Sequence, residues 1–351
     1  MMGAIRTAVV GAGRMGAIHA RIYQDLPECR LVAIVDSDPT KARALAEKHA
    51  CRACTACEEI LDQVDAVTLS TPTVTHLNLA KVFLTRRIPV LVEKPLAASV
   101  SEGRRLVALA HEFDTVVAVG HSERCNPVVQ AMRRLAAEPR FIETHRISPF
   151  PFRSMDVGVV LDVMIHDIDI VLALVGAPLK RVDAVGVAVI GREEDICSAR
   201  LVFANGCVAN LTASRLALKT ERRIRVFTRQ AYLSVDYLKK TGSVVRAEAN
   251  QDMIQWIQTR REAGDLDPAK VSWSNLVRVE PLQIDDKEPV RLEQEAFLQA
   301  VRDRACRPQV TAEEGLAALA CAQRILQRVK RHRLDESHSV RRFPSERPKN
   351  L

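Results

Sequence analysis

The chain has no long apolar run free of charge, no secretion signal and no internal repeat. Its most apolar stretch, Val157 to Val175, carries Asp162, His166, Asp167 and Asp169. Each acid would cost about 2.5–3.5 kcal/mol at a bilayer centre. The stretch therefore reads as an internal helix, and no membrane partner is expected. The first residues run almost at once into a strand and a glycine turn, without a separate apolar segment and cleavage site. Nine cysteines, an odd number without a secretion signal, point to a reducing cytoplasm. Cys51, Cys54 and Cys57 are spaced like part of an iron–sulfur or zinc run, yet Glu58-Glu59-Ile60-Leu61 follows where a fourth thiolate is needed. They read as ordinary reduced cysteines, with no metal expected. The net charge of +8 comes without a nucleic-acid-binding motif. Part of it lies in Arg324, Arg328, Lys330, Arg331 and Arg333, a basic last helical turn that the helix dipole favours. No nucleic-acid partner is expected, and the positive field suits an anionic substrate.

What remains is an ordinary globular composition, 47% hydrophobic and 27% charged over 351 residues, long enough for two well-buried cores. The first third alternates short β-branched runs with helical patterns. Thr7–Val10, Leu31–Val35, Ala66–Ser70, Pro89–Val92 and Val116–Val119 read as strands. Gly16–Leu26, Asp38–His49, Thr75–Arg87 and Ser101–Phe113 read as helices. This alternation predicts a doubly wound parallel sheet, a Rossmann-type α/β fold covered on both faces. After His121 the texture changes. Pro127–Ala137 reads as helix and Phe141–Ile147 as strand. Asp156–Val175 reads as one long helix stopped by Gly176 and Pro178. Strands then follow in direct succession at 182–189, 199–203, 207–212, 224–228 and 232–235, with Asn205-Gly206 as a hairpin turn. That predicts an α+β domain with a large, mostly antiparallel open sheet, closed by helices at 293–303 and 313–330. The expected division is a parallel-sheet domain over 1–121, an open-sheet domain over 122–333, and a polar tail over 334–351, expected to be mobile.

Gly11-Ala12-Gly13-Arg14-Met15-Gly16 is a GxGxxG turn between a strand and a helix. Glycines there permit the tight turn and let backbone N–H groups meet a pyrophosphate at the helix N-terminus. Asp36 ends the second strand about twenty residues after Gly16, where an acid binds a ribose 2′-hydroxyl. A carboxylate there repels a 2′-phosphate, which favours NAD over NADP as cofactor. Downstream, Glu93-Lys94-Pro95 closes a buried strand, and Asp162 and His166 stand four apart in a helical segment, on one face. A lysine can hold a substrate hydroxyl, and an Asp–His pair can move its proton. With a nucleotide site, these parts suit hydride transfer from a sugar alcohol.

The chain resembles the glucose–fructose oxidoreductase/inositol dehydrogenase/rhizopine-catabolism (Gfo/Idh/MocA) family up to about Arg333. The resemblance rests on Gly11–Gly16, Thr71-Pro72 with His76, Glu93-Lys94-Pro95, Gly120-His121 with Asn126-Pro127, and Asp162-x-x-x-His166-Asp167-x-Asp169. It implies an N-terminal Rossmann domain and a C-terminal domain whose open sheet often forms a homodimer or homotetramer interface. The Lys-Pro bond is often cis in such proteins. Lys94, Asp162 and His166 take the positions of the family's site residues, beside nicotinamide and substrate. Thr71, His76 and Glu93 fall on the cofactor side with Gly11, Gly13, Arg14, Met15, Gly16 and Asp36. Gly120 to Pro127 and Arg146 to Asp169 are similar to the subset that oxidises UDP-linked N-acetylhexosamines, with Cys125 in place of a more usual phenylalanine.

That similarity implies oxidation of the 3-hydroxyl of UDP-N-acetylglucosamine, feeding a PLP-dependent aminotransferase in lipid A or other surface-glycan synthesis. The expected chemistry has His166 taking the proton of the 3-hydroxyl, Lys94 holding the oxygen or sharing the transfer, and Asp162 orienting substrate or histidine. Arg146 and Arg153 are candidates to clamp the substrate diphosphate. His76 could equally cap the helix beginning near Thr75. The same residues leave two other readings open: a dehydrogenase of a free polyol such as an inositol, and a non-catalytic NAD-sensing regulator.

Overall fold

A computed structural model of the chain describes residues 3–151, 157–265 and 277–332. Arg153 and the tail from Leu334 lie outside them. The first sheet has six parallel strands: β1 (Ile5–Val10), β2 (Cys29–Val35), β3 (Arg52–Cys54), β4 (Ala66–Leu69), β5 (Val90–Glu93) and β6 (Val117–Gly120). Their order is β3-β2-β1-β4-β5-β6, the doubly wound arrangement with its crevice at the reversal beside β1. Both faces are buried. Val9, Ile34, Leu91 and Ala118 pack under α1 (Arg14–Asp25), while Val67, Leu69, Val90 and Val92 pack under α3 (His76–Leu84) and α4 (Val100–Glu112). This is why the strands read as continuous apolar runs. α2 (Pro39–Lys48) is capped by Asp38, whose carboxylate accepts the Thr40 and Lys41 amides, with Pro39 at its first turn.

After α5 (Pro127–Leu135) comes an eight-stranded sheet. Its strands are β7 (Phe141–Ile147), β8 (Leu179–Val187), β9 (Ile196–Phe203), β10 (Val208–Ser214), β11 (Glu221–Phe227), β12 (Ala231–Asp236), β13 (Thr241–Arg246) and β14 (Glu280–Pro281). The order is β14-β13-β12-β11-β7-β10-β9-β8, antiparallel except for β7 with β10. Asn205-Gly206 makes the expected β9–β10 turn, with Gly206 at φ +83°. β13 and β14, and α7 (Gln251–Glu262), carry no clear apolar period and were not foreseen from sequence.

The single long helix expected over 156–175 is also different. A π-helical turn, Val160–Met164, precedes α6 (Ile165–Val175). Groups from outside the segment bond its backbone. The Glu194 carboxylate accepts the Val160 N–H at 3.1 Å, and the Lys94 ammonium donates to the Asp162 carbonyl at 2.7 Å. External bonds of this kind disturb the regular ladder, and such turns mark functional sites. α6 ends on Gly176 in the left-handed region, the stop foreseen from sequence.

Two C-terminal helices join the sheets. α8 (Pro289–Arg302) lays Phe297 and Leu298 into the core over β1 and β2. α9 (Ala312–His332) starts against the parallel sheet and ends against the open one. A Cβ on Gly315 would lie 2.6 Å from Val119 in β6, and one on Gly186 in β8 would lie 2.8 Å from Val329. A single rigid rod thus fixes the spacing of the two sheets and the cleft between them.

Candidate active site

The glycine turn leaves its helix end open. Gly11 has φ +100°, and a Cβ there would stand 2.6 Å from the Ser70 carbonyl oxygen. A Cβ on Gly16 would stand 1.8 Å from the Gly11 carbonyl, so both positions exclude any larger residue. Gly13 is different: nothing lies within 4 Å of its missing Cβ, which leaves space for close approach. Gly13 caps α1 without a side-chain bond, so the amides of Arg14, Met15 and Gly16 keep no intrahelical partner. Such amides suit a pyrophosphate. Gly11, Gly13, Arg14, Asp36 and Thr71 line a cleft of about 840 Å³, together with Lys41, Cys57 and Leu79. Asp36 is held at its rim by the Ala12 and Asp38 amides, at 2.7 and 2.9 Å. These residues fit a dinucleotide: an open amide nest for phosphates and a fixed carboxylate one strand away for a ribose.

Lys94 leaves the end of β5 through a cis bond to Pro95. Its backbone is fixed by Glu93, whose carboxylate accepts the Lys94 amide at 3.1 Å and meets His19 Nε2 at 2.8 Å. Glu93 thus points inward and packs closely on Gly120, where a Cβ would lie 3.2 Å from Glu93 Oε2. His76 is wholly buried. Its two ring nitrogens meet the Pro95 and Thr71 carbonyls at 3.1 and 3.0 Å, tying the lysine turn to the loop after β4. It is a wall residue holding two backbone segments, and Thr71 is the one that lines the cleft.

The Lys94 ammonium reaches across to the π-turn. It donates to the Asp162 carbonyl at 2.7 Å and to Asp162 Oδ1 at 3.3 Å. His166 stands one turn on, with Nδ1 buried and unpartnered. Burial, then the positive charges of Lys94, Arg146 and Arg222, hold its pKa well below the ordinary imidazole value. A neutral imidazole can accept a proton. Lys94, Asp162 and His166 are therefore gathered at one place, although Lys94 follows a strand of the parallel sheet and the other two lie far along the chain in the π-turn and α6.

α6 is held there by two buried ion pairs, one on each side. Asp167 takes Arg146 of β7 at 2.7 and 3.0 Å, which ties the helix to the open sheet. Asp169 takes Arg124 at 2.5 and 2.8 Å, which ties it to the segment leaving β6. Arg146 also meets Glu123 at 3.3 Å and lies 5.2 Å from the Tyr237 ring centroid. Its charge and geometry are consumed in bracing the helix rather than left open for a diphosphate. Arg153, the other expected clamp, lies outside the described residues. His121, just after β6, stands beside His166. It is fully buried, edge-on to His166 at 6.3 Å between ring centroids, with both ring nitrogens unpartnered. The signal for the bracing pairs was present: two acids in the most apolar segment need cations.

Cys125 is buried in the turn just before α5 and borders a separate cavity of about 330 Å³ with Gln130 and Leu292, whose lining does not include the lysine turn. Burial pushes the thiols of Cys51 and Cys57 up to about 11 and raises that of Cys54, so all three are protonated at neutral pH. Among the described residues no group of three or more His, Cys, Asp or Glu side chains is placed to hold a metal ion. No described helix is long and apolar enough to cross a membrane.

Residues 5–121 match the Gfo/Idh/MocA oxidoreductase family, NAD-binding Rossmann fold, and residues 138–234 match the family's C-terminal domain. The chain is 38% identical over 238 residues to UDP-N-acetylglucosamine 3-dehydrogenase of Acidithiobacillus ferrooxidans, covering 68% of this chain and 75% of that one. It is 28% identical to an inositol 2-dehydrogenase of Rhizobium meliloti over 61% of this chain and 69% of the relative. A solved structure of the Acidithiobacillus enzyme superposes with a TM-score of 0.83 at 32% identity, over 94% of this chain and 99% of that one. The WlbA dehydrogenase of Bordetella pertussis, solved with NADH and UDP-GlcNAcA, shares the fold at a TM-score of 0.77 and 20% identity, over 94% and 96% of the two chains. With its open amide nest, its lysine turn and its Asp–His helix, the chain belongs to the Gfo/Idh/MocA family and is an NAD-binding oxidoreductase acting on a CH–OH group.

Proposed function

We propose that this protein oxidises the 3-hydroxyl of a UDP-N-acetylhexosamine, UDP-N-acetylglucosamine foremost, to the 3-keto sugar nucleotide. The observation that carries the reading is the Lys94–Asp162 contact, with His166 one helical turn on, in a chain that also has a cleft fit for a dinucleotide and is 38% identical to a UDP-N-acetylglucosamine 3-dehydrogenase. NAD, when bound, supplies the acceptor for the hydride. The protein supplies position and proton transfer. An ammonium has three donors, and two of Lys94's are directed at Asp162. The third remains for the substrate hydroxyl oxygen, where it stabilises the negative charge that develops as the proton leaves. His166, kept neutral by burial and neighbouring cations, takes that proton. Asp162 fixes the lysine rather than the histidine, since its carboxylate and carbonyl both meet Lys94.

The fixed Asp36 carboxylate favours NAD over NADP by repelling a 2′-phosphate. A 3-keto sugar nucleotide suits a PLP-dependent aminotransferase, and lipid A or another surface glycan is the destination we assign, in the cytoplasm. The exposed Val185, Val187 and Ile196 on the uncovered face of the open sheet support a homodimer or homotetramer.

The test is to incubate the protein and NAD with UDP-N-acetylglucosamine or with myo-inositol, following NADH absorbance and product mass. NADH and a product two hydrogens lighter are expected with the sugar nucleotide. Turnover with myo-inositol alone would replace this reading with the polyol one, and no turnover with either would favour a sensor.

A further inference from the structure

Three arginines share the parity of the helix-covered face of the open sheet: Arg146 in β7, Arg222 in β11, and Arg215 just beyond β10. Side chains alternate faces along a strand, and Arg222 precedes buried Ile224 and Val226 on that face. Two of the three are neutralised. Arg146 is held by Asp167 and Glu123, and Arg215 Nε donates to Asp195 at 2.7 Å. Arg222 is exposed and has no carboxylate within ion-pair distance among the described residues. Its neighbours on the other face do: Arg223 has Asp236 and Glu221, and Arg225 has Glu143.

The position is specific. Arg222 stands directly opposite Arg146 across the β11–β7 ladder. The Arg222 carbonyl accepts the Tyr237 amide at 2.9 Å, which places this strand end beside the tyrosine that packs on Arg146. The positive charge of Arg222 also bears on His166, together with those of Lys94 and Arg146. An exposed guanidinium with no carboxylate of its own therefore stands near the candidate base, across the ladder from an arginine whose charge is already met.

We propose that Arg222 binds the diphosphate of the sugar-nucleotide substrate and sets the preference for a nucleotide sugar over a free polyol. The inference rests on the sugar-nucleotide reading above. The planar fork of a guanidinium matches two phosphate oxygens. A free polyol offers no anion, and Arg146, its partner across the ladder, has no open donor face to share the task.

The test uses the NAD-loaded protein and its Arg222→Gln and Arg222→Lys variants. KM for UDP-N-acetylglucosamine and the inhibition constant of UDP are measured in each, with NAD affinity and the melting temperature as controls. Arg222→Gln should raise both constants by about tenfold or more, far beyond any fall in kcat, with Arg222→Lys between. NAD affinity and melting temperature should stay within error, because the side chain is exposed and unpaired. If the wild type oxidises the sugar nucleotide and Arg222→Gln leaves both constants unchanged, the diphosphate assignment is wrong and the enzymatic reading stands. If the wild type neither oxidises the sugar nucleotide nor binds UDP, both fall.

Discussion

Lys94 Nζ lies 2.7 Å from the Asp162 backbone carbonyl and 3.3 Å from its carboxylate. One residue ends a strand of the parallel sheet, and the other sits in a π-turn that leads into the helix packed on the open sheet. The bond therefore crosses the seam between the two halves. It leaves the lysine one free donor and leaves His166, one turn on, facing the same space.

Replacing Lys94 by Met, or His166 by Asn, should lower kcat by about 10²–10⁴-fold, the usual span for losing a positioned acid or base. NAD affinity should hardly change, because neither side chain lines the nucleotide cleft. Steady-state rates with a fluorescence titration of NAD make the check. Wild-type turnover in either variant would remove that residue from the mechanism.

The His166 imidazole should titrate well below the ordinary value of 6.5. A base with a depressed pKa stays unprotonated as pH falls, so the acid limb of kcat/KM should lie below pH 6.5. Lys94→Met removes the largest positive charge acting on the ring after burial itself, and should move the His166 titration upward. Histidine NMR titrations of wild type and variant would show the shift. An unmoved curve would mean that the two groups are not electrostatically coupled.

Asp36→Ser should weaken NAD binding and improve NADP binding. The carboxylate that repels a 2′-phosphate is then gone, while the neighbouring Lys41 remains in the cleft. Dissociation constants for both dinucleotides decide the matter. A variant that keeps the wild-type ratio would exclude Asp36 from the ribose site.

Asp167→Asn should destabilise the fold by about 3–5 kcal/mol, the cost of leaving a buried charge short of its partner. Arg146 would keep only Glu123, at 3.3 Å. Chemical denaturation measures this directly. A loss under about 1 kcal/mol would mean that solvent reaches the pair.

Gly158→Ala should disturb the π-turn. A Cβ there would fall 2.1 Å from Glu194 Oε1, the oxygen that accepts the Val160 amide at 3.1 Å. Glu194 must shift, and the start of the catalytic segment loses its anchor. The expected result is a lower kcat with a modest loss in melting temperature, and unchanged turnover would show that the turn is held by other contacts.

Much of this was readable before any coordinates. The glycine turn, the Asp36 position, the β-branched runs of the first sheet and the stop at Gly176 all follow local rules of backbone conformation and burial. β13, β14 and α7 escaped because they lie at an edge with weak apolar periodicity, where no local signal separates strand, helix and loop. The π-turn escaped because its cause is remote: the amine of Lys94 and the carboxylate of Glu194 reach it from other elements.

The sequence by itself determined the nucleotide turn, because Gly11 takes φ +100° and a Cβ at residue 16 would stand 1.8 Å from the carbonyl oxygen of Gly11, five residues back in the same turn. It also determined that a helix carrying Asp162 and His166 must be internal and must find cations for Asp167 and Asp169. Only the tertiary structure decided which cations those are. An arginine's role depends on which charges surround it, and identity along the chain does not reveal them. Arg146 is spent on a buried carboxylate pair, while Arg222, its partner across the ladder, is exposed with no carboxylate partner among the described residues.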